Sequence, residues 1–188
     1  MRVGINGMGR TGRLALRAAM GGLYRGADDP RSGNRLDVVH VNELKGGATT
    51  TAHLLDFGSI HGRWRERFDV EDNRALLIGN RRIGFSQAAT PDAIPWAELG
   101  CDLVLECTGT LLKVEQLQGY FEHGVKQVIV VAPVKQSGAH NVVVGVNDHL
   151  YEPRQHRLLA AASCTAGAAA LLQPRLHAVH AGIPVPAL

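Results

Sequence analysis

Cysteine is scarce in this chain. Of 188 residues only three are cysteine, namely Cys101, Cys107 and Cys164, and no two of them form a CxxC pair. An odd number of widely spaced cysteines supplies neither a disulfide framework nor the ligand spacing of a zinc site. The composition therefore argues against a disulfide-rich secreted protein and against a structural metal centre.

Long apolar runs are also missing. The chain contains no stretch of the roughly 20 apolar residues that a membrane-spanning helix needs. Met1 leads directly into the first predicted strand, without the basic and apolar regions of a secretory leader. We therefore expect a cytoplasmic protein that has no membrane partner.

Neither sign of charge dominates. The formal net charge is +3, and the arginines are scattered rather than interleaved with aromatic residues, which make up 5% of the chain. Nucleic acid is therefore not expected as a partner. Hydrophobic residues make up 45%, which is enough for a packed core, and the length suits one domain, or two if one is small.

Glycine, by contrast, is plentiful, and three glycines near the start form a pattern. Gly7, Gly9 and Gly12 fit G-x-G-x-x-G between a short apolar strand and a helical pattern. In a dinucleotide-binding fold the first glycine permits a tight turn, the second lets the backbone approach the pyrophosphate, and the third allows close helix–strand packing. The pattern predicts dinucleotide binding at a helix N-terminus, and the alternative is a purely structural turn.

An acidic residue ends the second predicted strand. Residues 36–41 are mostly apolar, and Asn42 and Glu43 follow them. An acid at this place accepts hydrogen bonds from the adenine ribose and repels a 2′-phosphate, so NAD is expected rather than NADP. Glu43 comes later than the usual spacing of about 20 residues, which we attribute to an insertion at about residues 25–35. The alternative is a surface glutamate at a strand end.

Strand and helix patterns alternate along the rest of the chain. Beyond a hairpin signal at Gly79-Asn80, the pattern predicts helices over residues 45–57 and 114–123, a loop with a helical turn over 91–99, and strands over 101–106, 126–131 and 141–146. This alternation predicts an α/β fold, namely a Rossmann-like doubly wound, mostly parallel sheet with helices on both faces.

The opening residues VGINGMGRTGR resemble a known signature. In the glyceraldehyde-3-phosphate dehydrogenase family it reads G-I-N-G-F-G-R-I-G-R, so Met8 and Thr11 are the differences. The resemblance implies NAD as the cofactor. The residues that it implies for binding NAD, with the acid and its neighbour above, are Asn6, Gly7, Gly9, Arg10, Gly12, Asn42 and Glu43. It also implies that the backbone at Thr108 and Gly109, after the strand 101–106, passes beneath the cofactor.

A second segment, A-A-A-S-C-T at residues 160–165, resembles the catalytic S-N-A-S-C-T-T-N-C of the same family. The resemblance implies that Cys164 is the catalytic nucleophile and that Ser163 and Thr165 contact the substrate. A thiol at the head of a helix has a lowered pKa, and its thiolate attacks an aldehyde carbonyl. Hydride transfer to NAD then gives an acyl thioester. The alternative for Cys164 is a buried structural cysteine, which is also our interpretation of Cys101 and Cys107.

The family resemblance further implies a phosphorylated aldehyde as substrate, phosphate or arsenate as acceptor, and a homo-oligomer for the full-length enzyme. Within the family, NELKGGATTTAHLLDFGSIHGRW most resembles the paralogue encoded beside arsenic-efflux genes. An erythrose-4-phosphate dehydrogenase, which also has N-E at this position, is the alternative.

The resemblance is expected to stop after Thr165, where Ala166-Gly167-Ala168 replace the family's Thr, Asn and Cys. We therefore expect an NAD-binding Rossmann domain over residues 1–165 and a divergent tail over 166–188, with the catalytic domain missing. Three hypotheses remain: the nucleotide-binding half of a phosphorylating dehydrogenase, a module that binds NAD without turnover, and a truncated or frameshifted product. This chain by itself is not expected to turn over substrate.

Overall fold

The computed structural model describes the chain in five ranges: residues 1–20, 36–58, 62–64, 66–143 and 146–161. Several predictions fall outside the described residues: the insertion at about 25–35, the catalytic segment Ser163, Cys164 and Thr165, and the tail over 166–188.

The described residues form alternating strands and helices. The strands are β1 (Arg2–Asn6), β2 (Asp37–Asn42), β3 (Phe57–Gly58), β4 (Gly62–Arg63), β5 (Phe68–Glu71), β6 (Ala75–Ile78), β7 (Arg81–Ser86), β8 (Leu103–Glu106), β9 (Gln127–Val130), β10 (His140–Val142) and β11 (Leu158–Ala161). The α-helices are α1 (Arg10–Ala19), α2 (Gly47–Asp56) and α3 (Val114–Glu122), and two short 3-10 helices span Pro91–Ala93 and Asp148–Leu150.

Nine of these strands form one sheet in the order β10-β11-β9-β8-β1-β2-β7-β6-β5, while β3 and β4 pair separately. All pairings from β10 to β7 are parallel, whereas β7, β6 and β5 pair antiparallel. The chain builds the sheet outwards from β1 through β2, then returns to add β8 on the other side of β1. The predicted Rossmann-like, mostly parallel sheet is therefore confirmed.

Helices cover both faces of the sheet because alternate residues of β1 point in opposite directions. Val3 and Ile5 belong to one buried cluster, together with Leu16 of α1 and Leu55 of α2. On the other face, a Cβ at Gly4 would lie 2.8 Å from the Trp96 ring. Trp96 is fully buried in the second cluster, which contains Leu117 and Tyr120 of α3. Two cores thus pack against the sheet from opposite sides.

The hairpin at Gly79-Asn80 forms between β6 and β7 as predicted, and Gly79 has a φ of +59°. The predicted strand over 141–146 is wrong at its carboxyl end, because β10 stops at Val142. There the Asn147 side chain accepts a hydrogen bond of 2.7 Å from the Val143 N–H, and the Val146 N–H donates to the Val143 carbonyl. Val143 therefore lies outside β10, with its N–H and carbonyl bonded to Asn147 and Val146.

No helix within the described ranges combines the length and the apolar character that a membrane span requires.

Candidate cofactor site

The loop between β1 and α1 is shaped by its three glycines. Gly7 has a φ of +89°, and a Cβ there would lie 2.7 Å from the Thr108 backbone nitrogen. A Cβ at Gly12 would lie 1.9 Å from the Gly7 carbonyl oxygen. At Gly9, by contrast, no atom of the described residues beyond its neighbours along the chain lies within 4 Å of the Cβ position. The geometry agrees with a tight turn at Gly7, an open approach at Gly9 and close helix–strand packing at Gly12.

The N-terminus of α1 fits an anion. Gly9 is the N-cap residue, and no side chain caps this end of the helix. The first N–H groups of a helix have no intrahelical partner, and the helix dipole places partial positive charge there. With the open space at Gly9, this end of α1 has the donors and the room that a pyrophosphate needs. Arg10, the first residue of α1, is exposed beside it.

A crevice of about 270 Å³ opens at the carboxyl ends of the parallel strands. In doubly wound sheets ligands bind in this position, where the chain switches direction along the sheet. The lining consists of Asn6, Gly7, Gly9, Asn42, Glu43, Leu44, Lys45, Ala88, Ala89, Cys107, Thr108, Thr110 and Leu111. Of the predicted cofactor-binding residues, Arg10, Gly12 and Gly109 are not part of this lining.

The sequence analysis missed part of this wall, namely Leu44, Lys45, Ala88, Ala89, Thr110 and Leu111. They follow β2, β7 and β8, the strands that flank or lie near β1. The signal that could have found them is the rule that ligand contacts come from the segments after neighbouring parallel strands. The apolar side chains among them, those of Leu44, Ala88, Ala89 and Leu111, suit a flat ring such as adenine.

Glu43 lies at the rim of this crevice, where the prediction placed the ribose acid. One carboxylate oxygen accepts a hydrogen bond of 2.8 Å from the Met8 N–H, and the other accepts one of 3.0 Å from the Lys45 N–H. These bonds fix the carboxylate against the glycine loop. Each oxygen has a second lone pair, so the group can still accept hydrogen bonds from two ribose hydroxyls.

Beneath the crevice, polar side chains connect the ends of four strands. The last residues of β8, β1, β2 and β7 are register partners, and we call them the strand-end ladder: Glu106, Asn6, Asn42 and Ser86. Asn6 Nδ2 donates to Glu106 Oε2 at 2.8 Å, and Asn42 Nδ2 donates to Asn6 Oδ1 at 2.8 Å. Ser86 Oγ then donates to Asn42 Oδ1 at 2.8 Å. The ladder is buried apart from the half-buried Ser86.

The amide of Asn6 is occupied within the protein. Besides its bonds to Glu106 and Asn42, its nitrogen donates to the Tyr120 hydroxyl at 2.5 Å. Asn42 Nδ2 likewise donates to the Ala88 carbonyl at 3.0 Å, and its Oδ1 accepts from the Ala88 N–H at 2.8 Å. Both asparagines border the crevice, with their amide groups engaged in the ladder beneath it.

The two described cysteines have unreactive surroundings. Burial raises the pKa of Cys101 to about 11. Burial, and then the adjacent Glu106 charge, raise the pKa of Cys107 to about 12. A thiol with a raised pKa carries little thiolate at neutral pH, which supports the structural interpretation of both residues. Within the described ranges, no group of three or more His, Cys, Asp or Glu side chains is arranged to hold a metal ion.

Comparison with known proteins agrees with this geometry. Residues 1–114 match the family model described as glyceraldehyde 3-phosphate dehydrogenase, NAD binding domain. The chain is 49% identical over 185 residues to glyceraldehyde-3-phosphate dehydrogenase 3 of Nostoc sp., a match that covers 98% of this chain and 50% of the relative. It is 38% identical to glyceraldehyde-3-phosphate dehydrogenase 1 of Streptomyces avermitilis and 37% identical to glyceraldehyde-3-phosphate dehydrogenase of Geobacillus stearothermophilus, in each case over 94% of this chain and 49% of the relative.

The chain spans about half the length of the curated relatives it matches. The Nostoc match covers 185 of the 188 residues and therefore extends beyond Thr165, into the segment expected to diverge. The family model matches more than half of the chain and includes the glycine loop, Glu43 and the whole strand-end ladder. The chain therefore belongs to the glyceraldehyde-3-phosphate dehydrogenase family, and its residues 1–114 match that family's NAD-binding domain.

Proposed function

We propose that this chain supplies the NAD-binding half of a phosphorylating aldehyde dehydrogenase that acts on glyceraldehyde 3-phosphate. The observation that carries the proposal is the crevice, in which the open glycine loop, the uncapped N-terminus of α1 and Glu43 surround one space. Bound NAD would supply the hydride acceptor. The side chains of this chain would hold its phosphates and ribose and orient it towards the substrate.

Cys164 is the proposed nucleophile. It follows β11 by three residues, and β11 runs parallel to β9, which in turn runs parallel to β8. The chain therefore leaves β11 at the same edge of the sheet as the crevice. The thiolate would attack the aldehyde carbon to form a hemithioacetal, and loss of hydride would leave a thioester that phosphate or arsenate cleaves. Ser163 and Thr165 are proposed to contact the substrate.

Finer assignments follow from the resemblances and extend the proposal. The stretch from Asn42 to Trp64 supports arsenate as the acceptor, as in the paralogue encoded beside arsenic-efflux genes. The same N-E dipeptide supports erythrose 4-phosphate as an alternative substrate. We also propose a cytoplasmic location, a homo-oligomeric full-length enzyme, an NAD-binding domain over residues 1–165 and a divergent tail over 166–188.

The departure at Ala166-Gly167-Ala168 favours a second candidate function, an NAD-binding module without turnover. A chimera separates the two. Residues 1–165 are joined to the part of the Nostoc relative that lies beyond the counterpart of Thr165, and NADH formation is followed by absorbance with each aldehyde and with phosphate or arsenate. Because a positioned base contributes about 10²–10⁴-fold and substrate positioning contributes more, we expect turnover by the chimera and none by the present chain.

Cys164→Ser in the same chimera is the blank for this experiment. If the chimera forms NADH no faster than the blank with either aldehyde, the proposed dehydrogenase is rejected and the module without turnover is favoured. Faster turnover with erythrose 4-phosphate would assign the alternative substrate. Turnover by the present chain at the rate of the chimera would show that residues 166–188 complete the site.

The position of Glu43 predicts a preference for NAD over NADP. We expect NAD to bind at least about 10-fold more tightly than NADP, because the carboxylate accepts hydrogen bonds from the ribose hydroxyls and repels a 2′-phosphate. Glu43→Ala should bring the dissociation constants for NAD and NADP to within about 3-fold of each other. The main cause is weaker binding of NAD, since a hydrogen bond to a charged group contributes about 1.5–3 kcal/mol. Calorimetric titration with both cofactors measures the ratio. Glu98→Ala, which removes an exposed carboxylate outside the crevice, is the control and should leave the ratio unchanged. Equal affinities in the unaltered chain would contradict this assignment.

A further inference from the structure

Glu106 is a charged residue that the proposed chemistry does not use. It ends β8, and only 1% of its surface is exposed. It is not among the residues that line the crevice, although its neighbours Cys107 and Thr108 are. None of the ion pairs in the described part of the chain involves its carboxylate. A buried carboxylate without a cationic partner needs hydrogen bonds to compensate for lost hydration.

Four donors surround this carboxylate. Oε1 accepts from the Thr108 N–H at 2.8 Å and from the Thr108 hydroxyl. Oε2 accepts from Asn6 Nδ2 at 2.8 Å and from the Tyr120 hydroxyl. One oxygen thus binds Thr108, in the crevice wall that follows β8, and the other binds Asn6 at the end of β1. Glu106 therefore joins the two sides of the crevice from beneath.

The carboxylate also sets the direction of the whole ladder. Because both Glu106 oxygens accept hydrogen bonds, Asn6 must present its nitrogen to Glu106 and its oxygen to Asn42. Asn42 must then present its nitrogen to Asn6, which leaves its oxygen for the Ser86 hydroxyl and the Ala88 N–H. The orientation of each amide follows from the acceptor at the β8 end. Ala88 and both asparagines border the crevice.

We infer that Glu106 is a positioning residue for NAD: without touching the cofactor, it fixes the Thr108 backbone and the amides of Asn6 and Asn42 that form the crevice wall. Asn6, which the family resemblance implies for binding NAD, acts in this arrangement through the ladder. The inference rests on the NAD site alone and not on the proposed turnover, so its test measures binding only.

Glu106→Gln is the first variant, because it keeps the shape and replaces one acceptor oxygen by a donor. The new amide nitrogen must face either the Thr108 N–H or the Asn6 nitrogen, so two donors oppose each other in a buried place. We expect the Kd for NAD, measured by calorimetry, to rise by about 10-fold. Glu122→Gln, an exposed substitution on α3, is the matched control and should leave the Kd unchanged.

The double variant Glu106→Gln with Asn6→Asp separates positioning from direct contact. The carboxylate introduced on β1 would accept hydrogen bonds from the amide introduced on β8, from the Tyr120 hydroxyl and from Asn42 Nδ2, so donor and acceptor would again alternate along the ladder. We expect each single variant to bind NAD weakly and the double variant to recover a Kd within about 3-fold of the unaltered chain. A general loss of structure would not be reversed by a second buried substitution.

The outcomes decide the inference in each case. An unchanged Kd in Glu106→Gln overturns it, and so does a double variant that binds as weakly as the single variants or fails to fold. If Glu106→Gln alone does not fold, a folded double variant that binds NAD still supports the inference. Failure of the dehydrogenase chimera to turn over has no bearing on any of these binding measurements.

Discussion

Gly12→Ala is expected to lower the free energy of unfolding by about 3 kcal/mol and to abolish measurable NAD binding. The loss of stability follows because adding a methyl group to a closed site against rigid backbone costs about 1–3 kcal/mol and occasionally more. The added Cβ would lie 1.9 Å from the Gly7 carbonyl oxygen and 3.5 Å from the Cys107 Cβ. Neither neighbour can rotate away, since the first is backbone and the second follows β8 directly. The chain must move α1 away from the end of β1, and with it the helix N-terminus that is proposed to bind the pyrophosphate. Urea unfolding and calorimetry with NAD measure the two effects.

Gly9→Ala is the matched control, since it adds the same methyl group two residues away from the turn. Gly9 has a φ of −64°, which alanine adopts readily, and no described atom beyond its neighbours along the chain lies within 4 Å of its Cβ position. Loss of stability should therefore stay below about 1 kcal/mol, the usual cost of alanine at an N-cap. NAD affinity should still fall, because the methyl group occupies the space through which the pyrophosphate approaches the backbone. Equal stability of the two variants would show that Gly12 does not control the packing of α1.

Sequence reasoning succeeded where a feature depends on neighbours along the chain. The turn at Gly7, the N-terminus of α1 and the strand before Glu43 are each set by fewer than about ten consecutive residues, so periodicity and glycine spacing suffice to predict them. The parallel arrangement of β1, β2 and β8 follows from the same alternation, because parallel neighbours need a crossover between them.

The strand-end ladder could not be predicted in this way. Asn6 and Glu106 are 100 residues apart, and Asn42 and Ser86 are 44 apart. They meet because the sheet order places β1 between β8 and β2, and that order is decided by tertiary packing. A polar residue at the end of each apolar strand was a signal in the sequence, but its meaning depends on which strands are neighbours. The same limit applies to the bonds of the Asn6 amide to Glu106 and Asn42, which its place in the glycine motif does not indicate.

His40 lies next to this ladder, and its surroundings predict that the fold loses stability as the pH falls. The residue is 4% exposed, and its Nε2 lies 2.8 Å from Ser86 Oγ. Ser86 donates its own hydrogen to Asn42, so the His40 nitrogen must be the donor, and the neutral ring carries its hydrogen on Nε2. Nδ1 is buried without a hydrogen-bond partner among the described residues, and it lies 2.6 Å from the Cβ position of Gly84. A second ring proton there would have no acceptor.

Burial lowers the pKa of His40 from its ordinary value of 6.5 to about 4. Because the folded-state pKa is the lower one, the unfolded chain takes up the proton first as the pH falls. The contribution of neutral His40 to stability is thus complete above pH 6.5 and is lost as the pH falls towards 4. At about 1.4 kcal/mol per pKa unit, we expect a loss of about 3 kcal/mol over this range. Urea unfolding at a series of pH values measures it.

Buried carboxylates also change stability over this pH range. The His40 contribution is therefore measured as the difference between the unaltered chain and His40→Gln in how the free energy of unfolding depends on pH. His40→Gln keeps a donor near Ser86 Oγ and removes the titrating ring, so its free energy of unfolding should fall by about 3 kcal/mol less than that of the unaltered chain between pH 6.5 and 4. His53→Gln, which removes an exposed ring from α2, should follow the unaltered profile. Parallel profiles for His40→Gln and the unaltered chain would mean that the proton enters the folded state without cost, which contradicts the burial of Nδ1 without an acceptor.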